Sequence, residues 1–180
     1  MKKDIGSVLA LYPTPLVVVG AMVNGKANWL LAGHVGIIGH DRVMVSMAKA
    51  HYTNRGVKEN KALSLNIVTE EMLSAASYVG KVSGAKEDKS GVFEYTAGET
   101  GAPLTMECSV VDIYETEAFE SFILKIDHTF AEESVLTDKG KIDYRTLKPV
   151  LFEMPTYEYV RTGEVLGKCL SFAGQYAKQR

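Results

Sequence analysis

"PLVVVGAMVNGKANWLLAGHVGII", residues 15–38, is the stretch whose reading decides the fold. Gly20, Gly25 and Lys26 nearly spell a phosphate-binding loop: glycine, four residues, glycine, lysine. That motif continues with Ser or Thr, whose hydroxyl holds magnesium, and it opens a helix. Here Ala27 stands in the hydroxyl position, and "ANWLLAG" carries strand formers. The competing reading is a β-hairpin. Asn-Gly tolerates positive φ at both central positions, as a tight turn with the right twist requires, and apolar runs flank it on both sides. The stretch is therefore two strands joined at Asn24-Gly25, and the chain is not an NTPase.

Working outward, "RVMVSMAK" (42–49) reads as a third strand and "ALSLNIV" (62–68) as a fourth. Between them "TNRGVKEN" (53–60) has the length of a short helix, with Thr53 able to cap its first turn. "EMLSAASYVGKVSG" (71–84) is helical at its start and ends in glycines, and "DKSGVFEYTAGETGAPL" (88–104) is a polar loop closed by Pro103. Residues 107–136 form a hairpin of two long strands. "LKPVLFEMPTYEYVRTG" (147–163) adds a last strand, interrupted by Pro155. At least six strands with hairpin links and few helices favour an antiparallel barrel over a βαβ fold.

The bulk numbers set the class. With 180 residues, 46% of them hydrophobic and 23% charged, the chain can bury one good core, so one domain over 1–180 is expected. A formal net charge of −2 leaves no electrostatic footprint for nucleic acid. No apolar run reaches the ~20 residues of a membrane span. Asp4, Pro13 and Pro15 break up the start of the chain, so no signal peptide is read there and a cytoplasmic location is expected. Cys108 and Cys169 fit neither a disulfide framework nor a zinc site. His34, His40, His51 and His128 show no ligand spacing and read as surface or satisfied core histidines. With no "GxSxG" elbow, hydrolase chemistry has no support either.

One stretch stands out chemically. "SMAKAHYTNRG" (46–56) leaves an apolar strand and opens at once onto Lys49, His51, Thr53, Asn54 and Arg55. A solvated cationic loop is one explanation. An anion site is the other, because a helix start presents free N–H groups and the positive end of its dipole. The residues alone leave both open.

The ordered set "YPTPLVVVGAMVNGKANWLLAGHVGII", "RVMVSMAKAHYTNRGVKEN", "SLNIV", "APLTMECSVVDIYE" and "EYVRTGEVLGKCLSFAG" resembles the flavin reductase-like family of FMN-binding split barrels, its flavoredoxin type in particular. The likeness covers almost the whole chain. It implies a mainly β fold, a split β-barrel of Greek-key antiparallel type with a few short helices, with FMN at the interface of a homodimer. In such proteins the stretch matching Asn28, Trp29, Leu30, Leu31 and Ala32 lays its backbone along the flavin ring. Ser46, Met47 and Ala48 would line the ring from the next strand, and Lys49, His51 and Thr53 would hold the phosphate. Ser83, Gly84 and Lys89 sit where this family brings a loop towards the flavin. Read without the family, Trp29 is a core or interface aromatic, Met47 is core packing, Ser46 is an outward strand residue and Lys89 belongs to a flexible surface loop. One departure concerns Asp41-Arg42, where the family usually has prolines beside the flavin.

The activity implied is electron transfer: from NAD(P)H through FMN to free flavin, ferric complexes or a protein acceptor. A non-enzymatic FMN carrier is the alternative. Flavin supplies this chemistry itself, so no catalytic acid or base is expected. Without a "GxGxxG" fingerprint, a nicotinamide would bind over the flavin face. No nucleic acid, membrane or metal partner is expected.

Overall fold

The computed structural model describes residues 1–96 and 99–174. The chain runs through β1 (Thr14–Pro15), β2 (Val17–Val23), β3 (Lys26–Ala32), β4 (Val35–Ile37) and β5 (Arg42–Ala48) before helix α1 (Thr53–Asn60). Next come β6 (Ala62–Ile67), helix α2 (Leu73–Lys81) and the short pair β7 (Tyr95–Thr96) and β8 (Glu99–Thr100). The long strands β9 (Leu104–Glu115) and β10 (Phe119–Ala131) follow, then a 3-10 turn, helix α3 (Tyr144–Leu147), β11 (Val150–Glu153) and β12 (Glu158–Arg161).

β2 and β3 pair antiparallel from Val17↔Ala32 to Val23↔Lys26. Asn24 and Gly25 both take positive φ, 51° and 77°, so the turn chemistry read from the sequence is the one the chain uses.

Seven strands form one sheet in the order β3-β2-β6-β9-β10-β5-β4. Only Gly33 and His34 separate β3 from β4 in the chain, yet these strands lie at opposite ends of that order. Two residues span at most about 7 Å. The sheet therefore has to curl until its edges meet, and β3 and β5 do come together. A bond from Ser46 N–H to His34 C=O, 2.9 Å, closes the gap.

Side chains alternate across the curled sheet. Val17, Val19 and Ala21 of β2 point inward with Leu30, Val45, Met47, Leu65, Phe122 and Leu124. Leu16, Val18 and Trp29 point outward, against Ala76 and Val79 of α2 and Val150 of β11. The strand β11 also joins β1 and β12 in a three-stranded sheet. Helix α1 lies directly on β2: a Cβ on Gly56 would stand 2.1 Å from the Met22 carbonyl oxygen, so only glycine fits. No helix among the described residues is long and apolar enough to cross a membrane.

Four expectations change. "ANWLLAGHVGII" is not one strand but two on opposite edges, broken at Gly33-His34. α2 runs through Gly80 to Lys81, because the missing Cβ there makes room for Leu31. The polar segment before Pro103 contains the β7–β8 pair, with residues 97 and 98 outside the described residues. The last strand is an antiparallel pair, β11–β12, folded back at Met154–Tyr157. Pro155 can sit in that turn because no ladder N–H is needed there.

Candidate functional site

The seam where β3 meets β5 carries two adjoining groups of side chains. One gathers at the start of α1. Tyr52 stands at the cap position with helical φ and ψ, and no side chain caps the helix. Thr53 is the first residue of the helix and not its cap, which corrects the sequence expectation: its Oγ1 accepts from Asn28 Nδ2 at 2.7 Å, deep in the fold. No acidic residue of α1 itself occupies its first turn.

His51 is half-buried, and its Nδ1 is buried without a hydrogen-bond partner among the described residues. Burial, and then the charge of Lys89, holds its protonation below the ordinary histidine range. Lys89 itself is 3% exposed, so the loop it belongs to is not free at that point. Its Nζ donates to the carbonyls of Val79 (3.0 Å) and Val82 (3.2 Å), at the C-terminal end of α2, where a cation complements the helix dipole. Burial lowers its pKa from the usual lysine value. The loop comes so close to β3 that a Cβ on Gly84 would stand 2.0 Å from Asn28 Oδ1. A cavity of about 340 Å³ lies between this loop, Asn28 and Tyr52. Lys26 and Asp88 close its outer edge with a 2.7 Å ion pair. Lys49 lies on the surface, paired with Glu115 at 3.0 Å.

The second group surrounds Ser46. His34 Nε2 lies 2.9 Å from the Tyr12 hydroxyl, which in turn donates to Met154 Sδ at 3.2 Å. Because that hydroxyl has one proton, the pair is satisfied when His34 donates from Nε2. Burial, and then Tyr157, raises the Tyr12 pKa. Thr14 Oγ1 donates to the Gly33 carbonyl at 2.6 Å, Ser46 and Ser121 share a short hydroxyl bond, and the His34 ring lies 5.7 Å from that of Phe119. Around them is an open, largely apolar cleft of about 370 Å³. The Ser46–Ser121 pair uses one of its two protons internally and keeps one to donate, and a polar pair in an apolar cleft suits a flat ring with a polar edge.

The structure thus brings together Asn28, His51, Thr53 and Lys89 at one end of the seam and leaves Ser46 at the other. Ala48 and Lys49 bridge the two along the chain. Trp29, Leu30, Ala32 and Met47 put their side chains into the cores. Trp29 packs edge-on against Phe93 and Tyr95 on the face opposite Asn28, and Leu31 packs against Gly80. What these residues offer the seam is backbone. β3 is an edge strand, so every second residue turns its N–H and C=O away from β2.

Tyr12, His34, Phe119 and Ser121 join this second group with no signal in the sequence that singles them out. His34 carries no ligand spacing, and its role comes only from the chain folding back at Gly33. Among the described residues, no cluster of His, Cys, Asp or Glu is arranged to hold a metal.

The model of the flavin reductase like domain family matches residues 9–153. Flavoredoxin from Methanosarcina acetivorans is 33% identical and superposes with a TM-score of 0.91, over 98% of this chain and 99% of its own. Flavoredoxin of Desulfovibrio vulgaris (Miyazaki F) is 31% identical, with a TM-score of 0.87 over 96% and 100%. An FMN-binding protein from Thermus thermophilus shares the fold at 18% identity, with a TM-score of 0.76 over 93% and 99%. No curated protein matches the chain.

Proposed function

This chain belongs to the flavin reductase-like family and has its split-barrel fold, and from that premise we propose that it is an FMN-dependent oxidoreductase fed by NAD(P)H. FMN is its cofactor, and free flavin, a ferric complex or a protein is its acceptor. The observation that carries this reading is the uncapped start of α1 beside a buried, partnerless His51 Nδ1 and the buried cation of Lys89. That donor set fits a phosphate. Lys49 joins it once it leaves Glu115, and Thr53 holds Asn28 in place beside it.

Bound FMN supplies both one-electron and two-electron chemistry. The chain binds and orients. The free edge of β3, residues Asn28 to Ala32, offers backbone donors and acceptors to the polar edge of a ring. Ser46, Met47 and Ala48 bound the ring from β5, and the apolar cleft around Phe119 keeps water from one face. Asp41-Arg42 stands at the start of β5, so access to the ring is set there without the usual prolines.

A homodimer completes the unit. Leu11 and Ile37 flank the seam 82% and 86% exposed, surface that a second copy would cover. The working location is the cytoplasm.

The test is the visible spectrum of protein purified with FMN, before and after anaerobic addition of NADH or NADPH. Bleaching of the flavin band within seconds supports the reductase. A flavin bleached by dithionite but by neither nicotinamide supports instead an electron carrier, a reading favoured by the name flavoredoxin on two relatives above 30% identity. Protein that takes up no FMN refutes both.

A further inference from the structure

Residues 48–54, from the end of β5 into the first turn of α1, form the loop on which the phosphate reading rests, and a buried carboxylate from a distant strand holds it. Glu120 of β10 pairs in register with Met47 of β5 and is 4% exposed. Its Oε2 accepts from Asn54 Nδ2 at 2.7 Å and its Oε1 from Lys58 Nζ at 2.7 Å. The same Asn54 amide also donates to the Ala48 carbonyl at 3.1 Å, which ties one end of the loop to the other. Between these ends, Lys49 N–H donates to the Ala118 carbonyl at 2.9 Å. Burial works to raise the Glu120 carboxyl, but the bonds from Lys58 and Asn54 and the charges of Lys58 and Lys49 outweigh it and keep the group ionised.

A buried carboxylate is an expensive way to hold two elements together, because desolvation offsets much of its attraction. Its sign is also wrong for an anion site, since a negative charge repels a phosphate bound at the same helix start. Electrostatic help to the ligand therefore does not explain it. Geometry does: two charge-assisted bonds of fixed length set both the helix start and the loop against β10.

We propose that Glu120, acting through Asn54, is a positioning residue that preorganises the 48–54 loop for the phosphate of FMN. The proposal deepens the functional reading above and rests on its phosphate assignment. A charge account and a positioning account differ in sign. Removing the charge by Glu120→Gln tightens FMN if charge dominates, and weakens it if the clamp dominates.

The experiment measures dissociation constants of FMN and riboflavin for the parent, Glu120→Gln and Asn54→Ala, with amide hydrogen exchange over residues 49–54 of the flavin-free proteins. Asn54→Ala changes no charge, so it tests the clamp even where Glu120→Gln folds poorly. Each variant is expected to bind FMN about tenfold more weakly or worse, with riboflavin within about twofold, and to exchange the loop amides faster. FMN binding unchanged or tighter in both variants overturns the clamp, as does equal weakening of the two ligands. Equal affinity of the parent for FMN and riboflavin overturns the phosphate assignment itself, whatever the loop amides do.

Discussion

Replacing Gly56 by alanine tests how α1 is seated on the barrel, because two well-measured effects there have opposite signs. By helix propensity alone, Gly56→Ala in the middle of α1 stabilises by about 1 kcal/mol. The packing opposes it. The new Cβ would stand 2.1 Å from the Met22 carbonyl oxygen, 2.7 Å from Val23 Cγ2 and 2.9 Å from the Met22 carbonyl carbon. Two of these three are backbone atoms of β2, held at Met22 by its pairing with β3, so no side-chain rotation relieves them. The helix must lift by roughly 1 Å to restore a normal contact. Overpacking costs about 1–3 kcal/mol, and a backbone clash belongs at the upper end. The net expectation is a loss of about 2 kcal/mol, or about 4–8 °C in Tm for a chain of this size. FMN should also weaken, since the lift carries Thr53 and the helix start away from Asn28. The assay is thermal unfolding of flavin-free protein, with Gly91→Ala as control: nothing lies within 4 Å of its Cβ, so that variant should match or exceed the parent. A Gly56→Ala protein as stable as the parent would refute the close seating of α1 on β2.

Cys108 is buried and its thiol is pushed up to about 12, by burial first and then by Asp127 and Glu107, while Cys169 is exposed. A thiol reagent at pH 8 should therefore titrate one cysteine in the native chain and two after unfolding; two at once would be inconsistent with this core. Lys89→Met strips a charged donor from the Val79 and Val82 carbonyls and should lower urea stability by about 2–4 kcal/mol. Lys86→Met on the exposed side of the same loop serves as control, and equal effects would deny Lys89 its anchoring role. His51 has a folded-state pKa below 6.5, so the unfolded chain takes up its proton first and stability falls as pH drops below that value. His51→Gln should flatten the slope of the urea midpoint between pH 7 and 5; an unchanged slope would assign the effect to other groups.

What could be read without the fold was local. Asn24-Gly25 commits the chain to positive φ at two successive residues, and that choice is made by the two residues themselves. Helix α1 spans Thr53–Asn60, the stretch read from the sequence, since the change from alternating to polar pattern occurs within a few positions. The cationic run from Lys49 to Arg55 was visible for the same reason.

What the tertiary structure decided depends on pairing between distant residues. "ANWLLAGHVGII" has one apolar pattern but two strands, because barrel closure bends the chain at Gly33-His34, and nothing within the stretch encodes where the opposite edge will be. Lys89 looked like part of a mobile surface loop and proved to be a buried anchor, because the end of α2 supplies two carbonyls it could not have been known to meet. Trp29 and Asn28 are neighbours in sequence and face opposite ways, so one packs in the outer core while the other reaches Thr53. Glu120 lies 66 positions from Asn54, and only the β5–β10 register brings that carboxylate to the head of α1. Turn and helix chemistry act over a few bonds and can be read from neighbours in the chain. Register and closure act through space, and they become visible only once the sheet has curled.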